Sequence, residues 1–244
     1  MSDEQRREGI AKALEAVEAR VAQACAAAGR PRAQVRLLAV TKTFPATDAA
    51  LLTDLGQTDL AENRDQEAGA KAAEVRVLRP EARPRWHMIG RLQRNKARSV
   101  VRWADEVQSV DSIRLADALA KALRNAHEAG ERSGPLDVLI QASLDDDPSR
   151  GGCPLPRLGE LADHIAGLDG LRLRGLMAVA PLGADPAPAF ARLAGAADDL
   201  RRNHPEAVEL SAGMSGDLEP AIAHGSTCVR VGTALLGARG LASP

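Results

Sequence analysis

A chain of 244 residues with 45% hydrophobic content has enough apolar material for one large core or two small ones. Its 32 basic and 33 acidic residues nearly cancel, which excludes a protein that coats nucleic acid and needs a cationic surplus. No apolar run approaches the roughly 18 residues of a membrane span, and the polar start MSDEQRREGI has no signal-peptide core, so a cytoplasmic protein without membrane contact is expected.

The first segment reads as a long amphipathic helix. Ser2 and Gln5 have capping-box spacing, and Ile10, Leu14, Val17 and Val21 fall on one stripe. Gly29, with Pro31 just beyond, ends it. Eight apolar runs follow as predicted strands: Val35–Val40, Thr58–Ala61, Arg85–Ile89, Glu106–Val110, Leu136–Ser143, Leu173–Val179, Ala207–Leu210 and Cys228–Val231. Helical patterns such as Ser112–Ala129, Leu155–Leu168 and Ala187–Asn203 separate them. Strands joined by helices imply parallel pairing, and eight such units close a barrel. The expectation is a single (β/α)8 TIM barrel over residues 1–244, with an extra N-terminal helix. The competing open doubly wound sheet would show G-x-G-x-x-G after its first strand. Here that strand runs into Val40-Thr41-Lys42-Thr43-Phe44-Pro45 instead. The three cysteines, Cys25, Cys153 and Cys228, stand far apart with no zinc-ligand spacing, so they read as buried thiols and no metal is expected.

In such a barrel, chemistry sits where strands end. That rule selects Lys42, Glu62-Asn63, His87 with Gly90, Met177, Ser211 to Ser215, and Arg230-Val231-Gly232-Thr233. A lysine amine held beside apolar walls deprotonates more readily and becomes nucleophilic, although a strand-end lysine also snorkels to solvent. Leu210 to Asp217 reads as a glycine-rich loop with free amides, and Gly232-Thr233 as a second glycine next to a hydroxyl. Loops after the last two strands are the recurrent phosphate site of these barrels. Arg230, between Val229 and Val231, points inward if the valines face out, and an inward arginine needs an acceptor or an anion. His87 alone reads as a core histidine satisfied by its neighbours. The basic run Arg91 to Lys96 and the acidic run Asp145 to Asp147 read as solvated loops.

In order along the chain, Leu37 to Thr43, Glu62-Asn63 with Gln66-Glu67, Trp86-His87-Met88-Ile89-Gly90-Arg91-Leu92-Gln93 with Asn95-Lys96, Val138 to Gln141, Leu173 to Met177, Gly213-Met214-Ser215 and Gly225 to Arg239 resemble the pyridoxal 5′-phosphate (PLP) homeostasis protein family, a relative of the alanine racemase N-terminal domain. The resemblance implies that Lys42 holds PLP as a Schiff base. It puts Asn63 and His87 near the cofactor ring and Ser215, Gly232 and Thr233 around the phosphate; Met177 and Ser211, selected by their strand-end positions, are expected in the same site. It also implies that Arg230 contacts the phosphate or the pyridine nitrogen. An arginine on that nitrogen would keep it unprotonated, since arginine only donates, and weaken the ring as an electron sink. The family pattern has glycine where Ala61 stands, a tyrosine near Arg64-Asp65 and an acid where Gly216 stands.

Two functions compete. One is a monomeric PLP carrier without catalytic residues, with PLP-dependent apo-enzymes as recipients. The other is a PLP-dependent amino-acid racemase, which in the alanine racemase type uses a tyrosine base opposite the lysine. The chain contains no tyrosine, which favours the carrier.

Overall fold

The computed structural model describes residues 2–145 and 150–237. Gln5 donates its amide to the Ser2 hydroxyl (3.2 Å) and Ser2 donates its amide to the Gln5 side chain (3.0 Å), so the capping box starts helix α1 (Asp3–Ala27). The elements that follow are β1 (Arg36–Val40), α2 (Ala46–Asp54), β2 (Asp59–Glu62), α3 (Asp65–Leu78), β3 (Arg85–Met88), α4 (Ala97–Val100), β4 (Glu106–Val110), α5 (Ile113–Glu128) and β5 (Leu136–Ser143). Then come β6 (Cys153–Pro154), α6 (Leu158–Ala166), β7 (Leu171–Met177), α7 (Pro186–Asn203), β8 (Glu209–Met214), α8 (Leu218–Ala223), β9 (Cys228–Val231) and α9 (Thr233–Leu236).

The strands pair in the order β4-β3-β2-β1-β9-β8-β7-β5, all parallel, and β4 also pairs with β5. That last pairing closes an eight-stranded barrel. The two-residue β6 is an unforeseen addition beside the end of β5. Helices surround the barrel, and α1 packs on α8 and α9. Outward strand residues join helix faces in two apolar layers, one over β4 to β8 with α4 to α7, the other over β1, β2 and β9 with α1 to α3. Inside, among the described residues, Leu38, Val40, Ala61 and Cys228 form a small apolar patch, with Ile89 against it.

Two strands run differently from their sequence patterns. The strand expected at Ala207–Leu210 continues through Met214, because Gly213 (φ +92°) lets the chain pass α8 where a Cβ would sit 2.6 Å from the Ala221 methyl. This moves Ser211 from a loop into the sheet. β7 ends at Met177 and bulges against β5 at Gly175, where a Cβ would lie 1.8 Å from the Glu209 carbonyl oxygen.

The lower, N-terminal half of the barrel carries charge. Arg36 meets Asp59 (3.1 Å) and Glu209 (2.7 Å), Arg85 meets Glu106 (3.0 Å), and Arg172 meets Asp137 (2.7 Å). Each of these residues lies first or second in its strand, so together they form an ionic plug across the barrel floor. Among the described residues, no helix is long and apolar enough to cross a membrane.

Candidate functional site

The opposite, C-terminal mouth gathers the remaining polar groups. β1 lies between β2 and β9, with Ala39 beside Leu60 on one side and Val231 on the other. Continuing that register places Lys42 near Asn63 and the Gly232-Thr233 turn. Gly232 fits because a Cβ there would stand 3.1 Å from the carbonyl oxygen of Val40, two residues before Lys42. Thr43, next to Lys42, holds φ +69°, a conformation costly for a β-branched residue and typical of functional turns. β8 sets Met214 beside Arg230, which brings the Ser215 turn to the same rim.

Lys42 and Asn63 are half-buried, Ser215 is half-buried and Thr233 is exposed. Among the described residues, none of these four side chains makes a hydrogen bond within the chain. Arg230 is buried beneath them at 4% exposure. Its guanidinium donates to the Ser211 carbonyl (2.8 Å) and hydroxyl (2.7 Å) and to the Ala178 carbonyl (2.8 Å). No described carboxylate lies within 4 Å of it. Burial pushes its pKa below the ordinary arginine value, so a buried cation faces the mouth without a counter-ion.

Three expected site residues have other partners or positions. Met177 is buried at the end of β7 and contributes apolar wall. The Ser211 hydroxyl donates to Gln108 (2.7 Å) while accepting from Arg230, so Ser211 orients the arginine. His87 departs furthest from what the resemblance implies. Its ring points down into the barrel, with Nε2 2.8 Å from Asp59 and Nδ1 3.0 Å from Glu106. Both nitrogens are engaged, which matches the plain reading of a satisfied core histidine. Burial opposes its charge, but hydrogen bonds to Asp59 and Glu106 outweigh that and raise its pKa. Of the acidic run, Asp145 pairs with Arg150, and Asp146 and Asp147 lie outside the described residues, as do Ala238 and Arg239.

The structure adds a buttress that sequence reading missed. Lys71 on α3 donates to the Thr41 carbonyl (2.7 Å) and to Glu62, which also accepts from the Thr41 hydroxyl (2.6 Å). All three side chains are buried. They tie the residue before Lys42 to the residue before Asn63. The available signal was a lysine on the stripe Ala68, Ala72, Val75, where an apolar residue would be expected. Gly90 completes this rim, since a Cβ there would come within 2.1 Å of the Asn63 carbonyl oxygen. Gly90→Ala is therefore expected to destabilise the chain by about 1–3 kcal/mol in urea unfolding, the usual cost of overpacking. A change under about 0.5 kcal/mol would show that the rim gives way freely.

The fold and site define an eight-stranded parallel barrel with the unengaged Lys42 and the buried Arg230, which has no carboxylate partner, at its mouth. Residues 13–240 match the alanine racemase N-terminal domain family. The chain belongs to that family, among its pyridoxal phosphate homeostasis proteins. It is 48% identical to the pyridoxal phosphate homeostasis protein of Mycobacterium tuberculosis H37Rv over 96% of this chain and 95% of the relative. Against that of Escherichia coli K12 it is 40% identical over 94% and 97%. Among solved structures, PipY of Synechococcus elongatus PCC7942 with PLP bound superposes with a TM-score of 0.79 at 35% identity, covering 93% of this chain and all of that one. Alanine racemase of Corynebacterium glutamicum shares the fold at a TM-score of 0.67 and 14% identity. The match covers 98% of this chain but 62% of the racemase.

Proposed function

We propose that this chain binds PLP at the barrel mouth and serves PLP homeostasis as a carrier, with little catalysis of its own. The observation that carries the reading is the buried, unpaired Arg230 lying beneath four unengaged polar side chains: Lys42, Asn63, Ser215 and Thr233. A dianionic phosphate answers the uncompensated cation, and a carbonyl compound answers a free amine, so the residues present fit the cofactor. When bound, PLP supplies an aldehyde that condenses with a lysine amine and a ring that can delocalise charge.

The chain's own groups divide the work. Lys42 provides the covalent anchor, held in place by the strained Thr43 turn and the Glu62–Lys71–Thr41 buttress. Ser215, Gly232 and Thr233 offer hydroxyl and amide donors to the phosphate, and Asn63 offers an amide at the ring edge. Ser211 and the Ala178 carbonyl keep Arg230 pointed inward. Met177 closes the apolar side. His87 acts from below, as part of the charged floor.

A racemase reading lacks its second base, because no copy of this chain can bring a tyrosine to the mouth. The proposal extends to a single working unit over residues 1–244, monomeric and cytoplasmic, with apo-forms of PLP-dependent enzymes as recipients. Joint replacement Ser215→Ala and Thr233→Ala should weaken PLP retention by roughly tenfold or more, the worth of one or two charge-assisted hydrogen bonds. Urea stability should stay within about 0.5 kcal/mol, because neither hydroxyl bonds to the protein. Unchanged retention in equilibrium dialysis would remove the phosphate cup from the proposal.

A further inference from the structure

The barrel floor opens on a second concavity of about 630 Å³, at the N-terminal ends of β3, β4, β5 and β7. Six arginines line it: Arg76, Arg83, Arg85, Arg102, Arg132 and Arg172. Three are answered by carboxylates. Arg85 pairs with Glu106 and Asp137, Arg172 with Asp137, and Arg102 with Glu131. The other three have no carboxylate within 4 Å among the described residues. Arg83 donates only to the carbonyls of Pro80 and Ala82, next to it in sequence. Arg76 is exposed on the last turn of α3. Arg132 donates to the carbonyls of Val101, Ala104 and Pro135, yet its Nε is buried without a partner.

Two acids share the wall, Asp137 and Asp105, and both lie close enough to act on Arg132. Asp137 is bridged by two arginines, and Asp105 accepts the Trp86 amide at 2.8 Å. Capping of carbonyls after α4 accounts for the terminal nitrogens of Arg132. Its Nε is closed off from solvent and not open to a ligand, but Arg76 and Arg83 on the same wall stay unanswered. Guanidinium forks match phosphate oxygens in shape and charge, and several separate forks suit an anion whose charge is spread over more than one phosphorus.

We propose that this floor cavity binds an anion carrying two or more phosphate groups, on Arg76 and Arg83, with Arg132 adding positive charge behind them. The site lies on the face opposite Lys42 and does not depend on the PLP reading. The ligand is either an inorganic polyphosphate or a nucleoside polyphosphate, both of which present the same anion. Trp103 lies on the wall for a base to rest against.

The test is a calorimetric titration at low salt with tripolyphosphate, adenosine triphosphate and orthophosphate, with tryptophan fluorescence recorded in parallel. Trp86 and Trp103 are the chain's two tryptophans, both line this cavity, and tyrosine is absent, so intrinsic fluorescence reports on this place. Tripolyphosphate should bind saturably, alter the fluorescence and weaken as salt rises. Orthophosphate should bind at least about tenfold more weakly. The double variant Arg76→Ala and Arg83→Ala, whose side chains are exposed and hold no other element, should lose about tenfold or more in affinity. The joint Ser215→Ala and Thr233→Ala variant, which removes the hydroxyls of the phosphate cup, should bind tripolyphosphate as the parent does, which separates this site from the mouth. Equal affinity for the nucleotide and tripolyphosphate assigns the anion alone; tighter nucleotide binding assigns the nucleoside form. No heat with tripolyphosphate, equal affinity for orthophosphate, or full affinity in the double arginine variant would each overturn the proposal.

Discussion

Lys42→Ala should yield a folded chain that no longer shows the visible absorption of lysine-bound PLP and no longer incorporates the cofactor on borohydride reduction. The effect should be large, because the nearby Lys71 is buried and already donates to Thr41 and Glu62 and so cannot replace it. Stability should change little, since the Lys42 amine holds no hydrogen bond among the described residues and the strand beneath it is anchored by the buttress. Absorption and mass spectra before and after reduction decide the matter. Undiminished incorporation in the variant would move the anchor elsewhere, and a parent chain that takes up no PLP at all would end the carrier reading.

Glu106→Gln should be strongly destabilising, costing about 3–5 kcal/mol in urea unfolding, the range for removing one member of a buried ionic group. Glu106 is fully buried and accepts from His87 (3.0 Å), Gln108 (2.7 Å) and Arg85 (3.0 Å). The amide would turn a donor toward one of them and leave the Arg85 guanidinium short of countercharge. A loss below about 1 kcal/mol would mean that the floor network is mostly solvated.

The same network sets a pH window. Burial alone would raise the Glu106 pKa, but His87, Arg36 and Arg85 draw it down to about 2. Its contribution is therefore complete above the ordinary glutamate range and disappears as pH falls toward about 2. His87 shifts the other way. Its native pKa is raised, so its contribution is complete below the unfolded value of roughly 6.5 and fades as pH climbs through the higher native value. Stability of the parent chain should decline on both sides of that interval, and the acid limb should flatten in Glu106→Gln. An unchanged acid limb in the variant would separate Glu106 from the acid response.

Much of this architecture is legible along the chain because it rests on local signals. The Ser2 capping box and the Ile10–Val21 stripe announce α1, and eight apolar runs separated by helical patterns announce the barrel. Lys42, Asn63, Arg230, Gly232 and Thr233 are readable because strand ends in a parallel barrel converge by construction. Arg230's inward direction follows from the valines on either side of it, which do face the outer helices.

What stayed hidden depends on partners distant in sequence. Periodicity places His87 in the barrel but not its two hydrogen bonds, because Asp59 lies on one neighbouring strand and Glu106 on the other. Ser211 reads as a loop residue until Gly213 is seen to pass α8 at close range, which keeps β8 going and turns the hydroxyl toward Gln108 and Arg230. Lys71 reads as an ordinary helix lysine until α3 sets it against Thr41 and Glu62. The order of apolar and polar residues, with the motif spacing, was enough to determine the barrel and to nominate Lys42. Only the packed barrel decided which polar groups remain unengaged at the mouth and which bind one another below it. The physical reason is that a hydrogen bond or ion pair depends on ångström distances between strands, and a one-dimensional pattern records only which residues can reach the barrel interior.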